Sequence, residues 1–301
     1  ILKTIMFLIE KLNTKERWII WNTILVVAMH ALNESYPNNI ISIYFSKYFG
    51  NQTIVGGLIK ALPAITLAFT SFQAFVDSKA VYLLMFAIAL VFCSLGDFFL
   101  YLEKDCVHYS EMYFIYGLGA FLISHAIFAI CFYMRLKRLQ NICKTHCPAT
   151  MSFDIVPYLV FVYAIIFFNI MSVNLSKDEN LKYAVGIYCF VIGMMFFMAL
   201  WNHRLEKRVR HTIEDEPKKM KHLMVLLPRW RAPGYLIGSV LFVISDSFIG
   251  YGRFVETDED VQYNIQILST YFIAITFLCI SSISEPILNG DTEATIEKMM
   301  C

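Results

Sequence analysis

The 301 residues are 58% hydrophobic and only 16% charged, and the mean hydropathy of +0.57 lies outside the range of soluble domains, so the composition is that of a membrane protein. With 25 basic against 24 acidic residues the net charge is +1, which leaves no electrostatic footprint for nucleic acid and excludes that class of partner. At about 20 residues per span, eight spans take up most of the chain and leave no room for a separate soluble domain.

The chain begins with Ile, so no signal peptide is read from its first residues. Apolar runs bounded by charged or turn-rich stretches fall near residues 18–32, 53–71, 80–100, 112–135, 155–173, 181–201, 233–250 and 263–284. Runs near 20 residues are too long for barrel strands. The expected fold is therefore all-α, one integral membrane domain over residues 1–301 with eight transmembrane helices and both termini on the cytosolic side. The segment from Asn39 to Phe49 is apolar but short, and reads as an interfacial or re-entrant piece.

The basic residues test that count, because a wrong number of spans would scramble them between the two sides. With the N-terminus inside, 19 of the 25 fall on inner segments, nine of them between 202 and 232. Lys47, Lys104, Lys177, Lys182 and Arg253 fall outside, and Lys60 lies within a span. Trp18, Trp21, Trp201 and Trp230 all fall at inner span ends, where interfacial aromatics belong. The sequons at Asn33, Asn51 and Asn174 are all on the expected outer side. The basic inner loop is read as topology plus contact with anionic lipid.

The eight cysteines are scattered singly and form no disulfide framework. Cys143, His146 and Cys147 make one short cluster without a matching second pair, so they read as loop residues and no metal is expected. No nucleotide motif is present either. The expected cofactor is none, and activity should survive chelators.

Ionisable groups in hydrocarbon are costly, so each calls for a partner or a job. Away from span ends they are Lys60 in span two, Asp97 in span three, His125 in span four and Asp246 in span seven, with Glu and Arg absent from span interiors. At 1.5 Å of rise per residue, Lys60, Asp97 and Asp246 lie within roughly 6 to 10 Å of their outer ends and His125 at roughly 14 to 20 Å. Two carboxylates and an ammonium at one level suggest a polar pocket open to the outer leaflet. Its cheapest charge state is Lys⁺ with one ionised and one neutral Asp, which contains both an acid and a base. The structural alternative is an interhelical Lys–Asp clamp, with the second Asp hydrogen-bonded to Ser or Tyr. The stretches around Asp97 (Phe92 to Tyr101) and Asp246 (Phe242 to Tyr251) look alike, which allows a parallel four-plus-four internal repeat with one carboxylate from each half.

Ser94-Leu-Gly-Asp97, Gly117-Leu-Gly-Ala-Phe121-Leu-Ile-Ser-His125, and Leu241-Phe-Val-Ile-Ser245-Asp246-Ser247 through Arg253-Phe254 resemble the animal transmembrane lysoplasmalogenases and their bacterial YhhN-type relatives. The resemblance runs from about residue 55 to 280, and Lys60-Ala-Leu-Pro63 is similar to the family's Lys–Pro element with a looser spacing. It implies an ether hydrolase that cleaves the vinyl ether bond of lysoplasmalogens to a fatty aldehyde and glycerophosphoethanolamine or glycerophosphocholine. That chemistry needs a proton donor for the β-carbon and an anion beside the resulting oxocarbenium ion, as in glycoside hydrolysis. Asp97 and Asp246 are the expected pair, with either one starting protonated. Lys60 either holds one ionised or binds substrate phosphate, and His125 is an orienter or proton relay. Ser94, Ser245 and Ser247 are hydrogen-bond candidates for the carboxyls, and Tyr271 and Asn169 complete the substrate-binding set. The implied partners are a lysophospholipid substrate and membrane lipid, with a homodimer left open, and the implied location is the endoplasmic reticulum.

Two other classes share these residues. A proton-coupled transporter or lipid translocator also uses intramembrane Asp and Lys, although carboxylates near one face fit alternating access less well than midplane ones. A ligand-sensing receptor is the third, weakened by the absence of a large ligand domain.

Overall fold

The computed structural model describes residues 52–105, 109–146, 155–173, 179–215, 231–255 and 261–284. They form α1 (Gln52–Ser78), α2 (Val81–Asp105), α3 (Ser110–His146), α4 (Leu159–Ser172), α5 (Glu179–Asp215), α6 (Arg231–Phe254) and α7 (Val261–Ile283), with one 3-10 turn, Val156–Tyr158, leading into α4. No strand occurs among the described residues. Six helices, all but α4, are long and apolar enough to cross a membrane, so the protein is an all-helical integral membrane protein.

The first expected span, the short Asn39–Phe49 piece, the sequon asparagines Asn33, Asn51 and Asn174, Trp18, Trp21, Trp230, Cys147 and residues 216–230 of the basic inner loop lie outside the described residues. Over the fifth expected span, the 3-10 turn and α4 make one apolar helical stretch, Val156–Ser172, shorter than the other six helices. Cys143 and His146, expected in a loop, instead continue α3.

Packing follows chain order and then closes. α1 lies on α2, α2 on α3, α3 on α5, α5 on α6, α6 on α7, and α7 returns to α1 and α2, while α4 stands outside this ring against α5 and α6. The interior is aromatic: Phe86, Phe128, Phe132, Tyr235, Phe242 and Phe272 are almost fully buried. Large apolar side chains such as Phe69, Ile115, Ile165 and Phe190 cover the outside, as a lipid-facing surface requires.

Two backbone details set the helix spacing. Lys79 takes a positive φ of 59° between α1 and α2, and its N–H bonds Phe75 O at 2.6 Å, which ends α1 as a left-handed cap. Gly238 lets α6 approach α7 closely, since a Cβ there would sit 2.9 Å from the Ala274 carbonyl oxygen.

At the Arg135 end of the bundle the structure corrects one expectation. The Arg135 guanidinium is 2.5 Å from Glu206 Oε2 and donates to Asn202 Oδ1 at 3.1 Å, while Arg210 holds the other Glu206 oxygen at 2.6 Å. Arg135 also lies over the Tyr235 ring, 5.3 Å from its centroid. Arg135 and Glu206 therefore sit buried inside α3 and α5, where hydropathy alone ended the spans at 135 and 201. Pairing across the two helices permits the burial that either charge alone would forbid. Trp201 is likewise mid-helix, packed on Phe197 at 5.2 Å.

Candidate intramembrane carboxylate site

Each carboxylate is held by groups from other helices. Asp97, on α2, is buried, and its Oδ2 accepts a hydrogen bond from Tyr271 Oη on α7 at 2.7 Å. The residue before it is Gly96, over which the Phe121 ring of α3 is pressed so closely that a Cβ would overlap it. Tyr271 meets Phe121 and Phe242 edge-on, with centroids 5.8 Å and 5.4 Å away. Aromatic walls therefore fix its phenol on Asp97.

Asp246, on α6, carries a denser set of partners. Its Oδ2 accepts from Tyr188 Oη of α5 at 2.5 Å and lies 2.9 Å from His125 Nε2 of α3. The imidazole and the phenol are themselves 3.1 Å apart. Three helices thus bring a carboxylate, an imidazole and a phenol to one point. The His125 side chain is 0% exposed and that of Asp246 8%. The ring of His125 stands edge-on to Phe242 at 4.5 Å, and its Nδ1 has no hydrogen-bond partner among the described residues.

A narrow, partly open slot with about 60 Å³ of internal space runs past this triad. Asp246, Tyr188, Ser247 and Tyr163 are its polar groups, and the rest of the wall is apolar. α4 supplies one side through Val160, Tyr163, Ala164, Phe167 and Met171, and Tyr163 Oη shares a 2.7 Å hydrogen bond with Ser247 Oγ.

The expected residues divide accordingly. Asp246 and Ser247 line the slot, and His125 bonds Asp246 directly. Asp97, Tyr271 and Lys60 gather beside them: Lys60 and Asp246 are both in electrostatic reach of Asp97. The two carboxylates do not bond to each other, however, so the proton-sharing pair expected from the sequence is not a direct contact. Ser94 and Ser245 do not bond the carboxyls; their hydroxyls go to Val91 O at 2.8 Å and Ile267 O at 3.0 Å. Asn169 faces away from the site, exposed and bonded to Ile165 O of its own helix at 2.7 Å.

The depth ranking also fails for His125. It was placed below Asp246, yet the two touch, because helix ends are not coplanar and rise along separate helices shares no common zero. Tyr188 and Tyr163 were missed. Nothing in a single apolar run separates a tyrosine that bonds a buried carboxylate from the many that sit at a membrane interface.

An imidazole and a phenol thus meet one carboxylate in the wall of an apolar slot of an integral membrane protein. The chain belongs to the YhhN family, the family of lysoplasmalogenase and bacterial YhhN-type proteins, whose model matches residues 56–282. No curated protein and no solved structure matches the chain.

Proposed function

We propose that the protein hydrolyses the vinyl ether bond of lysoplasmalogens, giving a fatty aldehyde and glycerophosphoethanolamine or glycerophosphocholine, and that it does so in the endoplasmic reticulum membrane. The observation that carries this reading is the Asp246–His125–Tyr188 triad in the wall of a narrow apolar slot. Family membership supports it.

The Asp246–His125 pair holds one transferable proton. Asp246 passes it to the β-carbon of the vinyl ether, and the carbon next to the ether oxygen becomes an oxocarbenium ion. The carboxylate left behind stabilises that cation electrostatically, where a low dielectric makes the interaction strong. Water adds to the cation, its proton returns to the Asp246–His125 pair, and the hemiacetal collapses to aldehyde and the free glycerol hydroxyl. One water is consumed and the pair ends as it began. Tyr188 holds Asp246 in place by donating to Oδ2. Asp97, with Tyr271 and Lys60, forms the charge-balanced surroundings of the reacting group and touches no substrate.

The test is aldehyde release from lysoplasmenylethanolamine by purified, detergent-solubilised protein. The saturated alkyl ether analogue and the Asp97→Asn, Asp246→Asn double variant serve as controls. Release confined to the vinyl ether and lost in the variant is the expected result. Folded protein that releases no aldehyde, but moves lipid across proteoliposome membranes in a pH-dependent way, would replace this reading with a translocator.

A further inference from the structure

Arg253 lies at the opposite end of the bundle from the Arg135 cluster, and neither the triad nor the chemistry above employs it. It follows Asp246 by seven residues on α6, which returns it to the same helical face two turns on, at about 10 Å of rise. Gly250 falls between them on that face and lines the slot. The Arg253 guanidinium is centred 4.9 Å from the Phe114 ring. Phe114 is buried and is itself a slot wall, packed edge-on at 5.9 Å against Phe254, another slot residue. One guanidinium nitrogen lies 3.1 Å from Glu103 Oε1 on α2, with Arg253 38% exposed and Glu103 13%. α2 and α6 are not neighbours in the ring, so the pair is drawn across Phe114 on α3 at the end of the slot.

The geometry points to Arg253 and Glu103 as the headgroup site for a zwitterionic lysophospholipid, Arg253 taking the phosphate and Glu103 the ammonium. This rests on the hydrolase reading for the identity of the lipid, and it adds the recognition that reading lacks. Stacking on Phe114 holds the guanidinium plane, and one ion pair among the described residues, to Glu103, leaves further donors for phosphate oxygens in the fork geometry that Arg provides and Lys does not. A glycerol unit and the reach of the Arg253 side chain together span the rise to Asp246. The ether oxygen then falls beside the carboxylate, and the alkenyl chain runs on towards Val160, Gly193 and Phe196 at the far end of the slot. A zwitterion matches an Arg–Glu pair charge for charge, whereas a purely anionic headgroup sets its charge against Glu103.

The test is equilibrium binding to the full-length protein of three uncleavable saturated alkyl ether lipids: a lysophosphoethanolamine, a lysophosphatidic acid and a phosphate-free alkylglycerol. Arg253→Gln is expected to weaken both phosphate-bearing lipids by about tenfold or more, since it removes charged hydrogen bonds, and to leave alkylglycerol binding unchanged. Arg253→Lys should fall between, and Glu103→Gln should weaken the lysophosphoethanolamine but not the lysophosphatidic acid. Equal losses on all three lipids, or no loss on any, would overturn the site. Vinyl ether turnover, measured separately on the wild type, keeps the two readings apart. Phosphate-dependent binding without turnover removes the hydrolase and leaves the site, while turnover with binding indifferent to phosphate removes the site alone.

Discussion

Asp97 and Asp246 sit in similar stretches of sequence and in different chemical surroundings. Asp97 is sealed, bonded to one phenol and balanced by an ammonium nearby. Asp246 meets a phenol and an imidazole and lines the slot. Each carboxylate is bonded from a helix distant in sequence: Asp97 on α2 by Tyr271 of α7, Asp246 on α6 by His125 of α3. What separates them is the identity of the capping group and the presence of α4, which encloses the slot beside Asp246. Local sequence fixes where a carboxylate goes; its neighbours on other helices decide what it can bond to.

The most severe test of that difference is a pair of single variants. Asp246→Asn is expected to lower the rate of aldehyde release by about three orders of magnitude, the range of a lost general acid, and Asp97→Asn to lower it clearly less in protein that remains monodisperse. Equal losses would erase the distinction. Next in size, His125→Gln should reduce kcat by about a hundredfold and flatten its pH profile, because the transferable proton no longer has an imidazole to return to; an unchanged profile would remove His125 from the proton path. The two phenols provide a sharper comparison at smaller cost. Tyr188→Phe should slow turnover by about tenfold through the loss of one charged hydrogen bond. Tyr271→Phe should instead lower thermal stability, by about 1 to 3 kcal/mol for an acceptor left buried without its donor, and largely spare the rate. The reverse pattern would exchange the roles of the two carboxylates. The smallest effect belongs to the slot floor: Gly193→Leu should reduce turnover of long-chain substrates severalfold while short-chain ones are unaffected, read as a change in the ratio of kcat/KM values.

Much of this was legible in the sequence, and the failures share a cause. Asp97, Asp246, His125 and Lys60 stand out because charge in an apolar run is expensive, and the structure gathers all four into one region. Helix identity followed from run length. What escaped was everything decided between helices. Arg135 and Glu206 pass as span-ending charges until their partners are seen, and Tyr188 passes as an interfacial aromatic until Asp246 is found against it. Ser94 and Ser245 were assigned to the carboxyls by adjacency in sequence, but a serine within a helix finds a nearby backbone carbonyl at lower cost.

The apolar wall of the slot also bears on what an assay of this protein would measure. On the hydrolase reading, an apolar slot open to the bilayer is reachable by the tails of ordinary lipids as well as by the substrate's. Substrate would then compete with those tails, and the apparent KM would scale with the mole fraction of substrate in the membrane or micelle rather than with its concentration in the tube. Ordinary phospholipids and lysolipids would, in that sense, act as competitors whose amount the assay must hold fixed.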